Sequence, residues 1–273
     1  MTLAEPLPLA APDPLKVLGV GIVPFGSYSE AVNCAEEAMK SGRKSFWVAV
    51  NPEKIHSAAK DSRLREALQQ ADVGICDGTG VAVAARLLHG RNVTRCTGCD
   101  LFLHLIARAA TKGWKVFLLG ASPESNERAA ARLAEQYPGL WIVGRRDGYF
   151  PDADEIVAQV NASGADMLFV AMGSPRQELW IAEHLPALGV RFCMGIGGSL
   201  DVASGQARRA PKFFQRTGTE YLFQVVCRPG WSPRVRWRRT LARLSFMLAV
   251  VKEAVAGRGK GCASAAPSPH CRA

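Results

Sequence analysis

The chain has 273 residues, 34 Lys and Arg against 24 Asp and Glu, a formal net charge of +10 and 48% hydrophobic residues. That hydrophobic share excludes a disordered chain, and the length excludes a small disulfide knot; one domain with a full core plus an appendage fits. The charge is uneven: between Gln206 and Lys260 thirteen basic residues meet only two acids, Glu220 and Glu253, so the rest of the chain is close to neutral.

In chain order, residues 1–14 (MTLAEPLPLAAPDP) lack a basic start and carry Glu5 and Asp13, so they read as a flexible N-terminus and not as a secretory signal. Short apolar, β-rich runs then recur at Val17 to Val23, Phe46 to Val50, Val73 to Cys76, Val116 to Leu119, Leu140 to Val143, Met167 to Met172 and Val190 to Met194. Helical patterns lie between them, at Tyr28 to Lys40, Arg63 to Gln70, Val81 to Leu88, Leu101 to Thr111, Glu124 to Gln136 and Arg176 to His184. Ser27-x-x-Glu30 reads as a capping box, and both Ser122-Pro123 and Ser174-Pro175 put Ser at the N-cap with Pro following, the second extended by Gln177. Continuous apolar strands alternating with helices predict an α/β fold: a Rossmann-like, largely parallel sheet with helices on both faces, over residues 15–205. Residues 206–256 read as a basic helical appendage and residues 257–273 as a disordered tail. The longest apolar run there, Leu244 to Val251, is too short to span a bilayer. Cys96 and Cys99 form a lone CxxC with no second ligand pair beside it, read as coincidence.

Parallel sheets bind ligands beyond the C-terminal ends of their strands, where helix N-termini aim amides at anions. Read at those ends alone, the chain offers Asn51-Pro52-Glu53, Asp77-Gly78-Thr79-Gly80, Gly120-Ala121-Ser122, the run Gly173 to Glu178 (GSPRQE), and the run Gly195 to Asp201 with Gly197, Gly198 and Asp201. Asp77 is a candidate general base, whereas Asp-Gly is also an ordinary turn pair and Gln177 an ordinary capping residue. Neither a dinucleotide fingerprint nor a phosphate-binding GK[ST] loop is present. The one Asp-x-Asp, Asp152-Ala153-Asp154, stands where a helix over Ile156 to Val160 would start, so it reads as capping and not as a metal site.

These motifs, with Ala71 to Gly80 (ADVGICDGTG), Arg95 to Asp100 (RCTGCD), Asp147-Gly148-Tyr149-Phe150, Met172 to Glu178 and Arg209-Ala210-Pro211, resemble in order the WecG/TagA/CpsF family of bacterial glycosyltransferases. The resemblance covers about Val17 to Leu241. It implies an inverting, metal-independent, cofactor-free transferase that moves a sugar from a UDP-sugar donor to a polyprenyl-diphosphate-linked acceptor at the cytoplasmic face of the inner membrane, in cell-surface or exopolysaccharide biosynthesis. By position Asp77 matches the family's proposed base and Asn51 a substrate-site residue, with Arg95 and Gln177 at further active-site positions. Thr79, Asp100, Gly173, Arg176, Glu178, Gly197, Gly198 and Asp201 complete the expected substrate contacts.

In the basic segment Phe213, Phe214, Tyr221, Phe223, Trp231, Trp237 and Phe246 interleave with cations, and Leu244, Leu248, Val251 and Val255 fall on one helical face. That reads as an anchor for an anionic membrane surface; nucleic acid is the competing polyanion and is not expected. The family's appendage also supplies arginines to the leaving group, which puts forward Arg228, Arg234, Arg236, Arg238 and Arg239, since Gln224 stands where the family carries an Arg. The alternative from a different class is a non-catalytic nucleotide- or nucleic-acid-binding α/β protein with a basic tail.

Overall fold

A computed structural model describes residues 11–207, 209–211, 213–214, 217–220, 223 and 232–263, with side chains through 256 in the final helix. Eight strands and ten helices are named below. They run β1 (Leu15–Val17), β2 (Val20–Ile22), α1 (Tyr28–Lys40), β3 (Ser45–Val50), α2 (Pro52–Ala58), α3 (Ser62–Gln70), β4 (Val73–Cys76), α4 (Thr79–His89) and α5 (Gly98–Lys112). The order continues with β5 (Lys115–Gly120), α6 (Pro123–Gln136), β6 (Trp141–Arg146), α7 (Ala153–Ala162), β7 (Met167–Ala171), α8 (Arg176–His184), β8 (Phe192–Gly195), α9 (Ser199–Ala203) and, at the C-terminal end, α10 (Pro233–Ala263).

Six strands form one sheet in the order β4-β3-β8-β7-β5-β6, every pair parallel. Strand residues alternate between two cores, as a sheet covered on both faces requires. Phe46, Val48 and Val50 of β3 join Leu168, Val170 and Cys193 on one face, and Trp47 and Ala49 join Phe169, Phe192 and Met194 on the other. The predicted α/β architecture is therefore present. Sequence and structure part at the first strand. The run Val17 to Val23 is a two-stranded antiparallel hairpin, because Leu18 and Gly19 both take positive φ, 48° and 82°, and fold the chain back on itself. The hairpin lies beside β4, and Val23 joins it to the main sheet as a parallel bridge to Ile75.

The caps follow local chemistry. Ser27 Oγ accepts from the Glu30 amide and Ser122 Oγ from the Ser125 amide, as read from sequence. Asp152 accepts from the amides of Asp154 and Glu155 at 2.8 and 3.4 Å, starting α7 three residues ahead of Ile156. Ser174 does not cap α8: the Ser174–Pro175 peptide is cis, Pro175 takes the cap position without a side-chain bond, and Gln177 turns inward.

The appendage helix α10 lies against α2 and α4. Phe246 and Val250, 1% and 0% exposed, enter the same core as Ile55, Ala58, Val81, Ala84 and Ala85. The helix extends to Ala263, past Gly257, where composition had ended it. No described helix is long and apolar enough to cross a membrane.

Candidate active site

The C-terminal ends of β3 and β4 lie side by side, with Val50 opposite Cys76, so the residues that follow meet: the Asp77 amide donates to the Val50 carbonyl at 2.9 Å. Asn51 is the N-cap of α2. Its Oδ1 accepts from the Lys54 amide at 2.9 Å, which leaves its NH2 to donate to the Asp77 carboxylate. A second donor to Asp77 is the backbone amide of Gly98, the first residue of α5. A Cβ at Gly98 would stand 2.9 Å from that of Ala49, so only glycine lets α5 bring its N-terminus this close. Burial pushes the Asp77 carboxyl above the usual carboxylate range, against the opposing pull of the Lys54 charge and the bonds from Gly98 and Asn51. As a residue, Asp77 is half-buried. A half-buried carboxylate, oriented by two donors at the ligand end of the sheet, is equipped to take a proton.

Beneath it lies a polar cluster that the strand-end reading placed against substrate. Glu178 is fully buried and pairs with Lys54 Nζ at 2.8 Å, and Lys54, 4% exposed at its side chain, also donates to the Ala49 carbonyl at 2.7 Å. Gln177 Nε2 donates to the same Glu178 oxygen at 2.7 Å, while its Oε1 accepts from the Gly197 amide at 3.0 Å. A Cβ at Gly195 would meet Gln177 Nε2 at 2.6 Å, so that glycine makes the space for the amide. Gln177 and Glu178 thus tie β8 to β3 from below, and Glu178 offers no surface to a ligand.

The remaining candidates divide into two groups. Asp100 is taken up by protein donors: Tyr28 Oη at 3.1 Å, Thr97 Oγ1 at 2.8 Å and both terminal nitrogens of Arg209 at 2.5 and 2.6 Å. Burial acts to raise its carboxyl, but the bonds from Arg209 and Thr97 outweigh that and hold it below the usual range. Asp201 accepts from Ser125 Oγ at 2.7 Å and so locks α9 to α6. Arg95, in contrast, stays at the mouth, where it pairs with Glu220 at 3.0 Å, and Arg209 approaches the other oxygen of Glu220 at 3.7 Å. Thr79 Oγ1 donates to the Gly218 carbonyl at 2.6 Å, so residues 217–220 lie over the start of α4. Gly173, with φ 74°, Gly197, with φ 53°, and Gly198 form the exposed or half-exposed rim. Arg176 stands exposed on that rim with its guanidinium 5.5 Å from the Phe150 ring centre.

From α10, Arg239 and Arg243 reach Glu53 at 3.5 and 3.0 Å. Arg234 and Arg238 are exposed and Arg236 is half-buried. Arg228 lies outside the described residues, as do Tyr221, Gln224 and Trp231 of the basic segment. The strand-end reading missed Lys54, Glu220, Arg209 and Arg243. For Lys54, an Asn-Pro pair after a strand signals a helix whose first turn includes it, but not that its ammonium turns inward to Glu178.

A parallel sheet that gathers a carboxylate, arginines and helix N-termini at one edge is suited to an anionic ligand. Residues 15–260 match the model of the glycosyl transferase WecG/TagA/CpsF family, and the chain belongs to that family. It is 34% identical over 214 residues, 78% of this chain and 81% of the relative, to the N-acetylglucosaminyldiphosphoundecaprenol N-acetyl-beta-D-mannosaminyltransferase of Bacillus spizizenii (strain ATCC 23059 / NRRL B-14472 / W23). To the protein of the same name from Bacillus subtilis (strain 168) it is 33% identical over 204 residues, 75% of this chain and 78% of the relative.

Proposed function

We infer that this glycosyltransferase moves an N-acetylhexosamine, N-acetylmannosamine first among the candidates, from a UDP donor to a saccharide carried on a polyprenyl diphosphate. The observation that carries the reading is Asp77, held by Asn51 and Gly98 at the open end of the sheet. The names of the two relatives support the sugar and the acceptor. In the proposed step an acceptor hydroxyl attacks the anomeric carbon, the bond from that carbon to the UDP oxygen breaks, and Asp77 takes the hydroxyl proton. A single displacement inverts the anomeric centre, and a β-linked product from an α-linked UDP-sugar requires that inversion. Charge growing on the departing diphosphate is met by Arg95, Arg209 and the N-termini of α4 and α5. Metal independence agrees with the structural role of Asp152, which caps α7 through Oδ1 and so accounts for the first acid of the one Asp-x-Asp pair.

The same reading sets the enzyme on the cytoplasmic membrane face. Trp237, Leu241, Leu244, Leu248, Val251 and Val255 of α10 are all exposed, in a 4-3-4-3-4 spacing that makes one apolar stripe, with Arg234, Arg238 and Lys252 exposed beside it. An apolar stripe bordered by cations suits an anionic bilayer interface. The deciding experiment is UDP release from UDP-N-acetylmannosamine and other UDP-sugars with a short-chain N-acetylglucosaminyl-diphospho-lipid acceptor. Wild type should release UDP, and Asp77→Asn should fold, bind UDP and turn over orders of magnitude more slowly. Undiminished transfer by that variant removes Asp77 from the role of base, and no release with any donor favours a non-catalytic nucleotide-binding protein.

A further inference from the structure

The buried pair Lys54–Glu178 is an expensive feature. Both side chains are withdrawn from water, 4% and 0% exposed, and the second carboxylate oxygen of Glu178 finds no hydrogen-bond partner among the described residues. Replacing such pairs by apolar side chains is often neutral or stabilising, so stability alone is a poor account of one placed directly under the ligand end of a sheet. The local wiring points to the site. Lys54 sits one turn into α2, the helix capped by Asn51, and Asn51 also bonds Asp77; Nζ is fixed by the Ala49 carbonyl and by Glu178, and Glu178 is in turn fixed by Gln177.

We propose that Lys54 is a positioning residue for the transfer reaction: its ammonium, immobilised by Glu178, Gln177 and the Ala49 carbonyl beneath the turn that carries Asn51, supplies positive charge that favours the ionised form of Asp77, the form able to take the acceptor's proton. The proposal rests on the reading of Asp77 as the base. It gives a buried positive charge a role beside a carboxylate that burial and the nearby Glu220 push toward the neutral form. Of the cations at the site, Arg95 is paired with Glu220 and Arg209 with Asp100, whereas Lys54 is the charge that acts most strongly on Asp77. Its effect is downward, against burial, which raises the carboxyl.

The sign is fixed. Removing the Lys54 charge raises the pKa of Asp77, so the ionised fraction, and the rate, is lost on the acid side and recovers as pH rises above the new value. Lys54→Met alone strands a buried charge on Glu178, so the double variant Lys54→Met/Glu178→Gln, which neutralises both at nearly constant shape, carries the test. Two readouts are taken: kcat/KM for UDP release against pH, and the 13C chemical shift of the Asp77 carboxyl titrated in the free protein. The double variant should lose roughly tenfold or more at the acid end of the profile, converge on wild type at high pH, and titrate at Asp77 at higher pH. Glu178→Gln, which keeps the ammonium, should show no upward movement. A uniform loss across the pH range, or an unmoved Asp77 titration, overturns the proposal. Absence of UDP release by wild type overturns the transferase reading instead, and the carboxyl titration then still decides whether Lys54 acts on Asp77.

Discussion

The docking of α10 makes a quantitative claim. Of the large apolar side chains on this helix, Phe246 is 1% exposed, and it sits where the N-terminal turns of α2 and α4 meet: its ring carbon lies 3.9 Å from the place a Cβ would take at Gly80, whose other near neighbour is Pro52. Truncating a buried Phe to Ala costs about 3–5 kcal/mol when the surroundings do not collapse into the gap. Other attachments include Val250, the partly buried Met247 and the Glu53 pairs with Arg239 and Arg243, and those pairs are partly solvated and worth little each. Phe246→Ala should therefore open α10 locally before the sheet is affected. At about 1.4 kcal/mol per tenfold, the amides around Phe246 should exchange with deuterium roughly a hundredfold to a thousandfold faster, with those of β5 and β7 unchanged. Leu244→Ala, on a side chain 56% exposed, should leave exchange within a few-fold of wild type. Equal protection of α10 in Phe246→Ala and wild type would refute the docking geometry; equal acceleration in β7 would show that α10 and the sheet unfold as one unit.

Three further outcomes follow from other parts of the molecule. Leu244→Glu/Leu248→Glu should abolish sedimentation with anionic phosphatidylglycerol vesicles while leaving the melting temperature nearly unchanged, because both side chains already face water; retained sedimentation would discard the stripe as the membrane contact. Glu36 accepts from Lys112, Lys40 and Arg108, bonds that hold its carboxyl at about 2 against an ordinary 4.5. Its contribution to stability is present above about pH 4.5 and disappears as pH falls toward 2, so denaturant midpoints of wild type and Glu36→Gln should converge across that window. Gly120→Ala should destabilise by several kcal/mol or prevent soluble expression, since φ is 115° and the new Cβ would stand 2.4 Å from the Ala171 carbonyl oxygen; a variant melting near wild type would contradict the close β5–β7 crossing.

How much of this was legible depends on the range of the interaction that decides each feature. The strands Val73–Cys76 and Phe46–Val50 and the helices Tyr28–Lys40 and Arg176–His184 follow from apolar period and local caps, and they stand within a residue of where sequence puts them. Ser174 and Gln177 show the limit: the pattern of a capping box was intact, but burial of Gln177 between Gly197 and Glu178 offers its amide better partners than the helix end does. Asp77 and Asn51 were visible as strand-end residues, while Lys54, three positions past Asn51, was not, because only the pairing of β3 with β4 and the packing of α8 make it central. The Leu18-Gly19 turn was hidden inside an unbroken apolar run.

The appendage shows the same limit with a larger consequence. The heptad of Leu244, Leu248, Val251 and Val255 marks a helix with an apolar face, yet it does not say whether that face meets the protein or something else. The structure assigns the protein side to the other stripe, Arg239, Arg243, Phe246 and Val250, and leaves the heptad outside. Asn51-Pro52-Glu53 then joins the two functions within three residues: Asn51 holds Asp77, Pro52 lies against Gly80 beside Phe246, and Glu53 receives the arginines of α10. The helix whose exposed stripe is the proposed membrane contact is thereby fixed, through its opposite face, to the turn that orients the proposed base. The positive charge of the helix is consequently divided: Arg239 and Arg243 dock it against Glu53, and Arg234, Arg238 and Lys252 are exposed, where the proposed membrane contact needs them.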